Sequence, residues 1–219
     1  MANKLGIDRV PGSLPEPDSL ETEALGLARI VAQYSLFPNA EVVAQFPGPV
    51  MPSIRANKAL GPRGTTIALA GKSYVLDDNT IPRWSLLIAH GFGPSLPSGC
   101  RGWSFAHIWP EPQCPESYTC LANLAMVPEH LTSLTDKTSP VASYLRFHAW
   151  HRYDWKPPSR EVPAKPSGFD TIEWRYFDAT VDAKLRIEHF LKNSQNAWAR
   201  QLVALIATGS LPESLPENN

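Results

Sequence analysis

Trp103-Ser104-Phe105-Ala106-His107-Ile108-Trp109-Pro110 and, after a polar connection, Leu121-Ala122-Asn123-Leu124-Ala125-Met126-Val127-Pro128 are the stretches whose reading decides the fold. In each, apolar, aromatic and β-branched residues run together until a proline stops them, which is the pattern of a β-strand. The connection from Glu111 to Thr119 is polar and broken by prolines. Pro128 suits the first turn of a helix, and Glu129-His130-Leu131 follows it. The order expected over residues 101–154 is therefore strand, loop, strand, helix. His107 falls near the end of the first strand, Asn123 enters the second, and His130 starts the helix.

At these residues the chain resembles the HNH, or ββα-metal, nuclease family, over residues 101–151 and nowhere else. The resemblance implies a restriction-type endonuclease that hydrolyses phosphodiester bonds in double-stranded DNA with one Mg²⁺ or Mn²⁺ per active site. It implies His107 as the general base that activates water and Asn123 as the residue that orients this base or touches the metal. His130 would be a metal ligand. Ala106 departs from the family pattern, because many members carry Asp or His directly before the catalytic histidine. A replacement ligand would come from elsewhere, and His90, Glu111 and Asp136 are the nearest candidates in sequence. The competing expectation is a non-catalytic nucleic-acid or protein-binding module on the same scaffold, which Ala106 favours.

Working outward, the net charge of −1 argues against nucleic acid until its distribution is considered. Residues 42–110 hold Arg55, Lys58, Arg63, Lys72, Arg83 and Arg101 against Asp77 and Asp78, and residues 137–165 hold six basic residues against Asp154 and Glu161. Between these blocks, residues 111–136 carry Glu111, Glu116, Glu129 and Asp136 and no Lys or Arg. An acidic island between basic flanks suits a hydrolase that holds both a cation and a polyanion, although single charge blocks are commonly solvated faces. Arg55, Lys58, Arg63, Arg101, Arg146, Arg152 and Lys156 are the candidate phosphate contacts.

The remaining chain reads as scaffold, and the fold class expected is α+β: a ββα-metal hairpin-helix core with a small antiparallel sheet and flanking helices, in one compact domain over 1–219. Asp18 and Glu21 can form a capping box for a helix over residues 18–37, with Leu20, Leu27, Ile30, Val31 and Tyr34 as its apolar stripe. Glu41 to Phe46 could make a short strand. Residues 65–90 read as a β-subdomain, with a hairpin turning at Ala70-Gly71 and a further apolar strand from Trp84 to Ala89. Ser139 and Pro140 start a helix over Val141 to Tyr153. His148 and His151 on it read as ordinary polar members rather than ligands. Phe169 to Phe177 suggests an edge strand, and residues 178–208 a long amphipathic helix interrupted near Asn193. Its apolar face suits a homodimer, since a small nuclease must reach both strands. Residues 209–219 read as a disordered tail.

No apolar run approaches the roughly 20 residues of a membrane span, and no signal-peptide pattern opens the chain, so a cytoplasmic protein is expected. Cys100, Cys114 and Cys120 cluster, but they lack the paired spacing of a zinc site, so free thiols are favoured over structural Zn²⁺.

Overall fold

The computed structural model of the chain describes residues 17–95, 102–136 and 138–208. Its architecture is mixed α+β. Helix α1 (Pro17–Tyr34) leads into a short helix α2 (Ala40–Ala44). Strand β1 (Ser53–Arg55) pairs in parallel with β3 (Lys72–Asp77), which pairs antiparallel with β2 (Thr66–Leu69). Helix α3 (Thr80–Ala89) follows. Strand β4 (Trp103–His107), a one-turn helix α4 (Pro115–Tyr118) and strand β5 (Leu124–Pro128) come next, and then α5 (Ala142–Tyr153), α6 (Ala183–Asn193) and α7 (Ala197–Thr208).

The hairpin expected in the middle of the chain is present. β4 and β5 pair antiparallel from Trp103 opposite Pro128 to His107 opposite Leu124. On its other edge β5 exchanges two backbone hydrogen bonds with Leu36, at 2.8 and 2.9 Å. Being central, β5 is buried on both faces, and its alternation divides the core. Leu124 and Met126 join α3, α6 and α7 in one apolar cluster, whereas Ala125 and Val127 join α1 and α5 in another. Burial of each large side chain here stabilises the fold by about 1.5–3 kcal/mol. The hairpin is thereby anchored to both halves of the core.

Several expectations require correction. The segment after Pro128 is a 3-10 helix, Glu129–Thr135, with no buried residue, and not an α-helix. Its own hydroxyls explain this: Thr132 Oγ1 donates to Glu129 O and Thr135 Oγ1 to Thr132 O, each at 2.7 Å, in competition with the helical ladder. Trp84 to Ala89 belongs to α3 rather than to a strand, and eight of its ten residues are buried. The short apolar run from Leu86 to Ala89 reads equally as a buried strand when taken alone. Its first turn is held by Asp77, whose Oδ2 accepts from Ile81 N at 2.9 Å.

Residues 41–46 contain α2 instead of a strand because Asn39 Oδ1 accepts from Glu41 N and caps a helix. The proposed edge strand at 169–177 is a 3-10 turn, Phe169–Thr171, followed by a single bridge between Tyr176 and Phe37. α1 ends before residue 37, where the chain turns to pair with β5. Its buried residues are Ala24, Ala28, Val31 and Ala32, while Ile30 and Tyr34 face solvent. The long C-terminal helix is interrupted near Asn193 as expected, and Asn196 Oδ1 caps α7 by accepting from Trp198 N at 2.9 Å. In this region Leu191, Leu202 and Leu205 are buried and Leu185 is exposed. Among the described residues no helix is long and apolar enough to cross a membrane. Arg101, Cys100 and the expected tail lie outside the described residues.

Candidate active site

His107 is the last residue of β4, where the ladder gives way to the connection. Asn123 ends the ladder. Its backbone O accepts from Ile108 N at 2.9 Å and its Oδ1 accepts from Trp109 N at 2.7 Å. Both amide hydrogens are also used, with Nδ2 donating to Trp109 O at 3.2 Å and to Ser117 O at 2.9 Å. Asn123 therefore clasps the two ends of the connection. It lies in a 3-10 turn just before β5 rather than in the strand, and it is fully buried. The direct bond from Asn123 to the imidazole does not occur; both amide hydrogens and Oδ1 are engaged with backbone instead.

Tyr118 fixes the ring instead. His107 Nε2 lies 2.9 Å from Tyr118 O, and since a carbonyl only accepts, Nε2 carries the proton. The imidazole stacks on the same residue's phenol, with centroids 5.3 Å apart and planes 11° apart. That phenol is fully buried, accepts from Asn79 N at 2.9 Å and lies 3.1 Å from Asp77 Oδ2, to which it donates. Burial lowers the His107 pKa to about 4, and the nearby Arg55 charge adds to this against the Tyr118 carbonyl. The ring is neutral at physiological pH, with its lone pair on Nδ1.

His107 lines a cavity of about 510 Å³ with Arg55, Asn79, Phe105, Thr135, Asp136 and Thr138 among its neighbours. A neutral imidazole, a guanidinium and a carboxylate thus line one cavity. β1 delivers Arg55, the β3–α3 turn delivers Asn79, and the end of the 3-10 helix delivers Asp136. Of the three candidates for the ligand missing at Ala106, the structure brings only Asp136 to this cavity. His90 is buried with Nδ1 donating to Leu86 O at 2.7 Å and Nε2 accepting from Asn39 N at 3.1 Å. Glu111 forms an ion pair with Arg160.

The metal set implied by the resemblance does not assemble. His130 is exposed and is not among the cavity-lining residues, and Asn123 is sealed. Among the described residues no group of three or more His, Cys, Asp or Glu is placed to hold a metal ion. Asp136 is the carboxylate of the cavity lining and Asn79 its side-chain amide, with Asn79 Oδ1 3.3 Å from the Tyr118 hydroxyl.

The basic candidates are dispersed. Arg55 lines the cavity and Lys58 is exposed nearby in sequence. Arg63 pairs with Asp78 at 2.7 Å and lies 3.6 Å over the Trp198 ring. Arg146 lies 5.1 Å over Trp109, Arg152 lies 5.0 Å over Tyr176, and Lys156 is partly buried. His148 is buried among Phe37, Trp174 and Tyr176, where burial lowers its pKa to about 3. Cys114 and Cys120 are free thiols, and burial raises Cys120 to about 12. Asn79 belongs to Asp77-Asp78-Asn79, which in the sequence is a plain turn that could also bind a cation, whereas Tyr118, Thr135 and Thr138 carry no spacing that marks them.

Comparison of the chain with family models, with curated proteins and with solved structures returned no match.

Proposed function

We propose that this chain is a divalent-cation-dependent endonuclease that hydrolyses phosphodiester bonds in DNA, with His107 as general base. The reading rests on the neutral His107 ring, fixed through Nε2 and lining a cavity with Arg55 and Asp136. In this mechanism the Nδ1 lone pair takes a proton from a water aimed at the phosphorus. Arg55 holds a non-bridging phosphate oxygen and offsets charge that builds in the transition state. Tyr118 keeps the imidazole in the productive tautomer, and Asn123 acts at one remove by pinning Ser117 O beside Tyr118. Asp136, helped by Asn79, would hold the cation, which supplies Lewis acidity toward the phosphate and its leaving oxygen. Double-stranded DNA as substrate, a restriction role and a homodimer that cuts both strands complete the proposal.

Incubation of the purified chain with plasmid DNA in Mg²⁺, Mn²⁺ or EDTA is the direct test. Nicking or linearisation only with the metals is expected, and intact DNA under every condition would overturn the reading. A non-catalytic binding module is the second reading, favoured by Ala106 and by the lack of a three-ligand group among the described residues. Calorimetry with Mn²⁺ separates the two: binding abolished by Asp136→Asn supports the enzyme, and no heat at all supports the module.

A further inference from the structure

A second cavity, of about 480 Å³, lies at Trp109, two residues beyond His107. α5 contributes Ser143 and Arg146 to its wall, and the following connection contributes Ser159 and Arg160. Trp109 is itself buried, and its indole Nε1–H has no hydrogen-bond partner. Guanidinium groups only donate and serine hydroxyls can donate, so Arg160, Ser143 and Ser159 suit an acceptor-rich anion, while the Trp109 Nε1–H is shielded from solvent. Glu161 is the acidic residue of the lining.

The Glu111 carboxylate supplies the second observation. One of its oxygens accepts from Arg160 Nε and the other accepts from Ser159 Oγ at 3.4 Å. Two oxygens of one anion held by a guanidinium and a hydroxyl is the pattern in which two non-bridging oxygens of a phosphodiester are held. Glu111 occupies these donors as an internal stand-in. The two members of the ion pair are unequal in exposure: the side chain of Arg160 is 55% exposed and that of Glu111 is 14% exposed. The arginine can therefore turn to an incoming anion while the carboxylate stays in place.

We propose that the Trp109–Arg146–Arg160 cavity is a phosphate subsite that takes a backbone phosphate of a polynucleotide, with Arg160 and Ser159 exchanging Glu111 for the ligand. In the same proposal one strand is gripped at two phosphates, here and at the site of His107, two residues before Trp109. The strand-gripping part of the proposal rests on the nuclease reading; the phosphate subsite does not.

The test is fluorescence anisotropy of a labelled duplex oligonucleotide in EDTA, with the wild-type full chain and the Arg160→Gln and Glu111→Gln variants. Arg160→Gln should weaken binding roughly ten-fold, as loss of one charge-assisted contact to phosphate does. Glu111→Gln should tighten it several-fold by removing the competitor, an effect that a merely structural ion pair would not produce. Because EDTA removes cleavage from the readout, failure of this proposal is distinguishable from failure of the cleavage reading. No binding by wild type, or Kd values for both Arg160→Gln and Glu111→Gln within two-fold of wild type, overturns the subsite. Inorganic phosphate that protects Glu111→Gln from thermal unfolding, without oligonucleotide binding, would assign the cavity to free phosphate and overturn the polynucleotide proposal.

Discussion

The imidazole of His107 lies flat on the phenol of Tyr118 and gives its Nε2 proton to that residue's own carbonyl, 2.9 Å away. One residue thus sets both the plane and the tautomer of the ring. Because the phenol is tied to Asp77 and Asn79, the orientation of His107 is coupled to the β3–α3 turn.

Tyr118→Phe removes a buried hydroxyl and leaves Asn79 N–H and Asp77 Oδ2 each short of a partner. Urea denaturation should register a loss of about 1–3 kcal/mol. An unchanged midpoint would mean that the hydroxyl contributes nothing to holding the turn.

Asn123→Ala strips the clasp from Trp109 and Ser117 in a fully buried place. A destabilisation of about 3 kcal/mol or more is expected, whether or not a metal is present. A variant of wild-type stability that had lost only metal affinity would instead return Asn123 to the ligand role.

Stability should fall steeply in mild acid. His90 and His107 have pKa values lowered to about 4 and His148 to about 3, each with burial as the largest cause. A depressed histidine pKa means that the unfolded chain binds the extra proton, so the stabilisation is fully present above about pH 6.5 and is lost as pH falls toward 4. Three such groups give a slope approaching about 4 kcal/mol per pH unit near pH 5. Chemical denaturation at pH 7.5, 6 and 5 measures it, and a flat profile over that range would contradict these burials.

Asp136 and His130 are both exposed, so substituting either should leave stability within about 0.5 kcal/mol of wild type. Their effects on cleavage should diverge: Asp136→Asn should lose at least ten-fold, partly recovered by higher Mg²⁺, whereas His130→Ala should stay within two-fold. The reverse ranking would restore the ligand assignment read from the sequence.

Legibility in the sequence followed the physics of each element. The β4–β5 hairpin, the turn at Ala70-Gly71 and the break before α7 have local signals: apolar runs closed by proline, a turn glycine and an asparagine cap, whereas α5 starts at Ala142 with Val141, not the expected Ser139, as N-cap and no side-chain cap bond. α3 was hidden because it is buried on nearly every side, and the 3-10 helix because threonine hydroxyls, not hydrophobic periodicity, decide its hydrogen bonding. Within the site, His107 was legible by residue type and position. Arg55 and Asp136 were recognisable as useful groups, but they come from β1 and from beyond β5. Their meeting at His107 is a tertiary fact. Tyr118 was invisible, since its contribution comes from a backbone carbonyl and a ring face, which any residue sequence carries without marking.

The most direct measurement of the central claim is the metal-dependent cleavage rate of duplex DNA by wild type and His107→Ala, with near-UV circular dichroism to verify that the variant is folded. The account predicts a fall of at least a hundred-fold with an unchanged spectrum, the scale on which a positioned general base contributes. A folded His107→Ala protein that still cuts at the wild-type rate would contradict it.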